Sequence, residues 1–254
     1  MFSILLARLK QRHRTVKYPR AAPVLPARFQ GLPVIDQARF GGSLEACADV
    51  CPVGALTAQG GVVSIDIGRC LFCGECEKAS DGAIRFSRDH RLATRNRQSL
   101  VIDWTEPELK AALDQASQKL FGRSLKLRQV SAGGCGACEA DCNVLNTVVF
   151  DLGRFGIQFV ASPRHADGIL ITGPVTKNME LALKKTYAAI PEPKLVIAVG
   201  TCAIAGGPYI DHPETCNGAA GVVPVDVFIP GCPPHPITIL DGLLRALGKI
   251  EDRG

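Results

Sequence analysis

What most constrains this chain is a pair of cysteines on a glycine-rich turn that needs two further thiols from elsewhere. Residues 131–142 read Ser-Ala-Gly-Gly-Cys-Gly-Ala-Cys-Glu-Ala-Asp-Cys. Their small side chains let the backbone bend tightly and approach a bulky inorganic group. Cys135 and Cys138 supply only half of a four-thiolate site. Two candidates for the other half lie in turn-forming contexts downstream: Cys202 in Val199-Gly200-Thr201-Cys202-Ala203, and Cys232 in Ile229-Pro230-Gly231-Cys232-Pro233-Pro234-His235-Pro236. If these four meet, the fold must gather them across residues 135–232.

The pattern of residues 125–254 offers a way to do so. Apolar runs at Leu125–Val130, Ile157–Ala161, Ile169–Thr172, Leu195–Val199 and Val225–Ile229 read as strands. Helical patterns lie between them, notably Asn178–Ile190, and Ile237–Leu247 follows the last. Strands alternating with helices predict an α/β domain with a mostly parallel, flavodoxin-like sheet covered on both faces. Cys135 and Cys138 then follow the first strand, Cys202 the fourth and Cys232 the fifth. Ligands of open parallel sheets bind beyond the carboxyl ends of the strands, so loops at one edge can bring all four thiols together. The loop Thr172–Thr176 lines the same edge.

A second thiol group lies in residues 41–90, which read as a small α+β unit of two similar halves. The first half holds Cys47-Ala-Asp-Val-Cys51-Pro52 and the second Cys70-Leu-Phe-Cys73-Gly-Glu-Cys76. This unit resembles bacterial-type ferredoxins, whose half-motif is Cys-x-x-Cys-x-x-Cys-x-x-x-Cys-Pro. In them the fourth cysteine of each half serves the other half's cluster. On that resemblance one cluster would need positions 41, 44, 47 and 80, where only Cys47 is a cysteine; the others are Gly41, Leu44 and Ser80. The other needs Cys51, Cys70, Cys73 and Cys76, and all four are present. The resemblance implies one [4Fe-4S] cluster here, with Cys47 a spare thiol. A structural zinc site on the same four thiolates is the alternative.

The rest of the chain connects these sites. Eleven cysteines, an odd number clustered as Cys-x-x-Cys with no secretory signal before them, point to metal binding in a reducing compartment rather than to disulfides. No apolar run approaches the length of a membrane span. Residues 1–40 begin with an amphipathic helix over 1–13, with Phe2, Leu5, Leu6 and Leu9 on one stripe, for docking on a partner or lying at a membrane surface. Pro19, Pro23, Pro26 and Pro33 then predict an extended arm or linker. Residues 1–30 carry Arg8, Lys10, Arg12, Arg14, Lys17, Arg20 and Arg28 and no acid. No nucleic-acid recognition motif accompanies this charge. Residues 91–124 read as a linker with a helix opening at Glu106-Pro107-Glu108, continuing through Leu109, Leu113, Ala116 and Leu120, and stopping at Gly122.

Residues 128–248 resemble the small subunit of membrane-associated, energy-converting [NiFe] hydrogenases (group 4) of the formate hydrogenlyase type. That family is related to the quinone-site iron–sulfur (20 kDa) subunit of respiratory complex I. The resemblance rests on Gly134-Cys135-Gly136-Ala137-Cys138-Glu139, Arg154-Phe155-Gly156-Ile157, Ser162-Pro163-Arg164-His165-Ala166-Asp167, Thr172-Gly173-Pro174-Val175-Thr176, Gly200-Thr201-Cys202-Ala203 and Pro230-Gly231-Cys232-Pro233-Pro234. Residues 1–90 separately resemble the ferredoxin-like subunit of the same complexes, including Arg28-Phe29-x-Gly31-x-Pro33. The chain departs from that arrangement in fusing two subunits and lacking one ferredoxin cluster.

The resemblance implies two [4Fe-4S] clusters, the second on Cys135, Cys138, Cys202 and Cys232. It implies a non-catalytic electron-transfer subunit of an oxidoreductase complex. The partners would be a large subunit holding the active site, other electron-transfer subunits and membrane subunits. The location would be peripheral, on the cytoplasmic side of the membrane. A quinone-reducing complex or a nickel-free relative is the alternative, and a zinc-stapled scaffold the remote one. The complex I family places two cysteines adjacent where this chain separates Cys135 from Cys138. Glu139 is a candidate proton relay, set against a plainer role as an acid near a helix N-terminus. Cys142 and Cys216 fall outside the ligand pattern. Arg164 and His165 are expected to pack near an interface, and His235 to sit beside the second cluster without binding it.

Overall fold

The computed structural model describes residues 2–12, 14–39, 44–59, 61–105 and 107–251. Helix α1 (Phe2–Gln11) forms where the apolar stripe requires, and all its residues are exposed. Met1 and His13, the ends of the expected helix, lie outside the described residues. The proline-rich arm that follows has no regular structure until β1 (Pro33–Ile35). The arm lies on its own chain. Val16 N–H donates to Val149 O at 2.8 Å, and Arg154 Nη2 donates to the carbonyls of Val16 and Tyr18 at 2.8 and 3.0 Å. Farther along, Arg88 Nη2 holds the carbonyls of Leu25 and Pro26 at 2.6 and 3.0 Å.

The N-terminal unit continues with α2 (Leu44–Asp49), β2 (Leu56–Gln59), β3 (Val62–Asp66), α3 (Glu75–Ala79) and β4 (Ile84–Phe86). Strand, helix and strand thus occur twice, and the strands pair antiparallel across the halves, β1 with β4 and β2 with β3. This is the pairing an internal repeat produces. Leu32, Ile35, Leu56, Val63, Ile65 and Ile84 fill the space between the two pairs. Position 41, the first lost ligand position, lies outside the described residues.

Residues 91–124 differ from expectation. Strand β5 (Val101–Ile102) pairs with β3, so this part extends the N-terminal unit. No helix starts at Pro107, and Glu106 lies outside the described residues. Leu109, Ala111 and Leu113 are buried between the exposed Glu108, Lys110 and Asp114, a period of two that belongs to extended chain. The strap is fixed by Arg95 N–H to Lys110 O and Leu113 N–H to Ala246 O. The helix is confined to α4 (Gln115–Phe121), capped by Asp114, whose carboxylate accepts from Ser117 N–H at 3.0 Å, and ending at Gly122.

The C-terminal domain follows the sequence pattern closely. Its elements are β6 (Leu125–Ser131), α5 (Ala137–Val144), β7 (Ile157–Phe159), β8 (Gly168–Thr172), α6 (Lys177–Ala189), β9 (Leu195–Val199), α7 (Thr201–Ala205), β10 (Val227–Ile229) and α8 (Pro236–Ala246). The five strands are all parallel, in the order β7-β6-β8-β9-β10. Numbered within the domain this is 2-1-3-4-5, the flavodoxin-like order, with its switch point between β6 and β8. Strands β8 and β9 are buried throughout, as a sheet covered on both faces demands.

One face packs against α4, α5 and α8. The other is shared. Helix α6 covers it around Ile169, Ile171 and Val196, while the N-terminal unit covers Ala198 and Phe228 with Ile67, Leu100 and Ile102. Thr94 and Phe228 exchange backbone hydrogen bonds of 3.0 and 2.8 Å across this seam. The N-terminal unit therefore stands where a covering helix would otherwise pack.

Candidate metal centres

At the first site, β3 ends in a turn built on Asp66. Its carboxylate accepts from Gly68 N–H at 2.9 Å and is gripped by two Arg97 bonds of 2.9 and 2.6 Å. Cys70 N–H bonds Asp66 O, which presents the thiol at the turn's exit. The next residues coil through left-handed conformations at Phe72 (φ 53°) and Gly74 (φ 78°). This turns backbone N–H groups inward, and Phe72 N–H lies 3.2 Å from Cys70 Sγ. Cys76 begins the first turn of α3. Cys51 enters from the other half, with Ala55 N–H 3.1 Å from its sulfur. Hydrogen bonds of this kind to sulfur stabilise thiolates that ligate iron and tune their clusters.

Cys51, Cys70, Cys73 and Cys76 lie within electrostatic reach of one another. Burial pushes the Cys70 thiol up to about 12, and the charges of Cys76, Cys51 and Cys73 add to it. Cys76 is raised to about 11, again by burial first and then by Cys73 and Cys51. Cys47 is apart from this set, its sulfur 3.5 Å from Ala79 O. Ser80, at the repeat's fourth position, is a structural residue: its hydroxyl donates to Glu77 O and accepts from Ile84 N–H.

The second site stands at the carboxyl edge of the parallel sheet, at the switch point. The loops after β6 and β8 touch there. A Cβ on Gly173 (φ 84°) would lie 2.6 Å from Gly134 N, so only glycine permits the approach. Gly136 (φ 86°) opens α5 and puts Cys138 in its first turn. After β9 comes Gly200 (φ 88°), where a Cβ would stand 2.5 Å from Cys138 Sγ. Cys202 follows in α7 and Cys232 after β10.

Burial drives the Cys138 thiol strongly up, with Cys202, Cys142, Cys232 and Cys135 adding to the effect. Cys202 is raised to about 12 by burial, then by Cys232 and Cys135. Cys135, Cys138 and Cys202 line one small hollow with Thr172 and Gly173. Thiols so placed resist becoming anions unless a positive centre sits among them. Among the described residues, no three or more His, Cys, Asp or Glu side chains converge tightly enough for a single metal ion. All-thiol donor sets at both sites, N–H groups aimed at sulfur at the first and a glycine cradle free of Cβ atoms at the second fit polynuclear iron–sulfur clusters.

The two sites meet. Burial raises the Cys232 thiol, and Cys135 and then Cys73 add to it. The buried Thr201 Oγ–H is shared between Cys70 O at 2.9 Å and Gly231 O at 3.1 Å, so one hydroxyl ties both cysteine loops.

Other expected residues fall as follows. Glu139 Oε1 accepts hydrogen bonds from Ser131 Oγ and from Thr172 Oγ1, which pins it to the ends of β6 and β8. Cys142 is fully buried one turn behind Cys138, and its thiol is pushed up to about 12 by burial. Cys216 lies away from both sites, 3.6 Å from Glu180 Oε2. Arg164 and His165 are exposed. His235 caps α8 by accepting from Ile237 N–H through Nδ1 and meets Phe29 edge-on at 5.6 Å.

From sequence, Gly200 and Thr201 were only the turn around Cys202, with no role of their own. The charged residues of α8 were passed over as well. That helix carries Asp241 and Arg245 at i, i+4 inside an otherwise apolar run, both buried and bonded at 2.8 Å. A charged pair in such a run was the available signal.

Comparison with known proteins adds a family. The family described as NADH ubiquinone oxidoreductase, 20 Kd subunit, matches residues 135–246. The probable membrane-bound hydrogenase subunit mbhJ of Pyrococcus furiosus is 42% identical over 132 residues, 52% of this chain and 79% of that one. Formate hydrogenlyase subunit 7 of Escherichia coli is 38% identical over 162 residues, 64% of each chain. An NADH-quinone oxidoreductase subunit of Heliobacterium modesticaldum is 42% identical over 122 residues, 48% of this chain and 70% of that one.

Proposed function

Since the chain belongs to the family of the 20-kDa subunit of NADH–ubiquinone oxidoreductase, shared with hydrogenase subunits, we propose that it is a two-cluster electron-transfer subunit of a membrane-associated [NiFe] hydrogenase complex of the formate hydrogenlyase type. Cys51, Cys70, Cys73 and Cys76 hold one [4Fe-4S] cluster in a ferredoxin-like domain of residues 41–90, with the arm of residues 1–40 before it. Cys135, Cys138, Cys202 and Cys232 hold the other in the domain of residues 125–254. Each cluster supplies a one-electron centre. The protein's part is to hold the two at a fixed separation and, at the N-terminal set, to direct N–H groups at sulfur. The partner large subunit carries the active site.

The observation that carries this reading is that the thiols fall into two sets, on loops tied together by the Thr201 hydroxyl between Cys70 O and Gly231 O. Electrons enter or leave at the N-terminal set and reach the partner's active site from the sheet edge. Among the described residues, no helix is long and apolar enough to cross a membrane. In this reading attachment runs through partner subunits, on the cytoplasmic side. Glu139 is a strut between two strand ends rather than a proton relay.

A quinone-reducing complex is the second reading, favoured by the 42% identity to the NADH-quinone oxidoreductase relative. The separation of Cys135 from Cys138 by Gly136 and Ala137 weighs against it. Metal analysis of the anaerobically purified complex decides. The proposal expects about eight irons per copy of this chain, with nickel in a partner subunit. Iron without nickel would move the reading to the quinone or nickel-free relatives, and zinc in place of iron would end the electron-transfer role.

A further inference from the structure

Two-cluster ferredoxins join their halves twice, because each half lends its fourth cysteine to the other half's cluster. This chain keeps one such joint. Gly41, Leu44 and Ser80 stand at ligand positions of the lost cluster, so the first half meets metal through Cys51 alone. Cys70, Cys73 and Cys76 share one segment leading into α3, whereas Cys51 stands by itself after α2. The iron at Cys51 is therefore the corner of the cluster with the least support in sequence, and the protein has to fasten that loop by other means.

Two hydrogen bonds do so. Asp66 N–H, at the end of β3, donates to Ala55 O at 2.8 Å. Arg69, the residue before Cys70, reaches across the repeat, and its Nη2 donates to Val53 O at 2.9 Å. The same short loop holds Cys51, whose carbonyl accepts from Gly54 N–H at 3.2 Å and whose sulfur accepts from Ala55 N–H at 3.1 Å. The base of Arg69 is fixed too: its N–H bonds Asp66 O at 3.0 Å, and Asp66 is gripped by Arg97. Arg69 thus joins the loop of the lone ligand to the segment of the other three. Its Nε, however, is buried and has no hydrogen-bond partner among the described residues. A donor left so is uncommon and calls for an explanation. One bond to a carbonyl does not offset an unpaired buried donor as stability alone; a hold on the Cys51 loop accounts for the arrangement.

We propose that Arg69 is a positioning residue that keeps Cys51 on its iron and so protects the N-terminal cluster from oxidative loss of that iron. The inference rests on the cluster reading above. In the step it slows, a four-iron cluster of charge 2+ loses one electron to an oxidant such as ferricyanide, which becomes ferrocyanide. The resulting 3+ cluster parts into a three-iron cluster of charge 1+ on Cys70, Cys73 and Cys76 and one Fe2+. The bond that breaks is the one between Cys51 and its iron, and the freed thiolate takes a proton from solvent. Arg69 touches neither iron nor Cys51; it acts through Val53, by denying the loop the room to swing the thiol away.

The test is ferricyanide oxidation of the intact complex, followed by EPR of the oxidised state and by the Fe2+ released to a chelator. In Arg69→Met about one iron per chain should leave. The loss should run about tenfold faster than in the wild type, the effect of one hydrogen bond. A three-iron signal should appear with it and match the signal of Cys51→Ala. Arg69→Lys keeps a cation and a donor, so its rate should fall between the two; it carries the test if Arg69→Met loses the whole cluster. The sheet-edge cluster should give the same reduced-state signal throughout. An unchanged rate in Arg69→Met, a three-iron signal unlike that of Cys51→Ala, or loss of the whole cluster in both Arg69 variants overturns the role of Arg69. Absence of the N-terminal cluster signal in the wild type instead overturns the cluster reading, and this inference with it.

Discussion

At the N-terminal site three thiols come from the single segment Cys70–Cys76, in a unit whose strands are only two to five residues long. At the sheet edge the four come from three loops spread over residues 135–232, each launched from a strand of one parallel sheet. The first site is local in sequence and weak in scaffold. The second is remote in sequence and rigid in scaffold, because β8 and β9 are buried along their whole length. A site of the first kind depends on its metal for order, whereas one of the second kind is shaped before metal arrives.

The largest effect that sharpens this contrast is expected from Gly200→Ala. The new methyl would press on Cys138 Sγ from a backbone with φ 88° and ψ 153°, a conformation costing a side chain about 1–3 kcal/mol. Iron should fall from about eight to about four per chain, with the N-terminal EPR signal kept. Next comes iron removal by a chelator. Limited proteolysis should then cut within residues 41–90 well before residues 125–250, and equal cleavage of both would break the contrast. Thr201→Val removes the hydroxyl shared by Cys70 O and Gly231 O. We expect a loss of about 1–3 kcal/mol in denaturant unfolding with iron content unchanged. The smallest effect belongs to Cys47→Ser, which should keep all the iron and cost about 1 kcal/mol. Loss of iron there would place Cys47 among the ligands.

The same contrast governs what could be read from residues alone. The five strands of the C-terminal sheet announced themselves as apolar runs because parallel strands are buried on both faces, and Leu195–Val199 was located to the residue. Convergence of Cys135, Cys138, Cys202 and Cys232 followed from that topology. The strap at Leu109, Ala111 and Leu113 was misread as helix, because Leu109, Leu113, Ala116 and Leu120 also satisfy a helical spacing. Burial against α8 and the N-terminal unit decided for extended chain. The arm's route was hidden as well, since its anchors are backbone carbonyls held by Arg88 and Arg154, and carbonyls leave no mark in sequence. Thr201 owes its role to the way the N-terminal unit sits on the sheet, and Gly200 to the approach of Cys138 from another loop; both are contacts between distant segments that no local pattern encodes.

The central claim is that the two proposed clusters sit side by side, on the two cysteine loops that Thr201 ties together. EPR of the reduced complex, with iron counts, for wild type, Cys73→Ser and Cys232→Ser tests it most directly. The account predicts about eight irons in the wild type and about four in each variant. It also predicts a different signal lost in each, and a wild-type spectrum split by coupling between neighbouring spins. A wild-type spectrum equal to the sum of the two variants, or a variant that keeps all its iron, would contradict it.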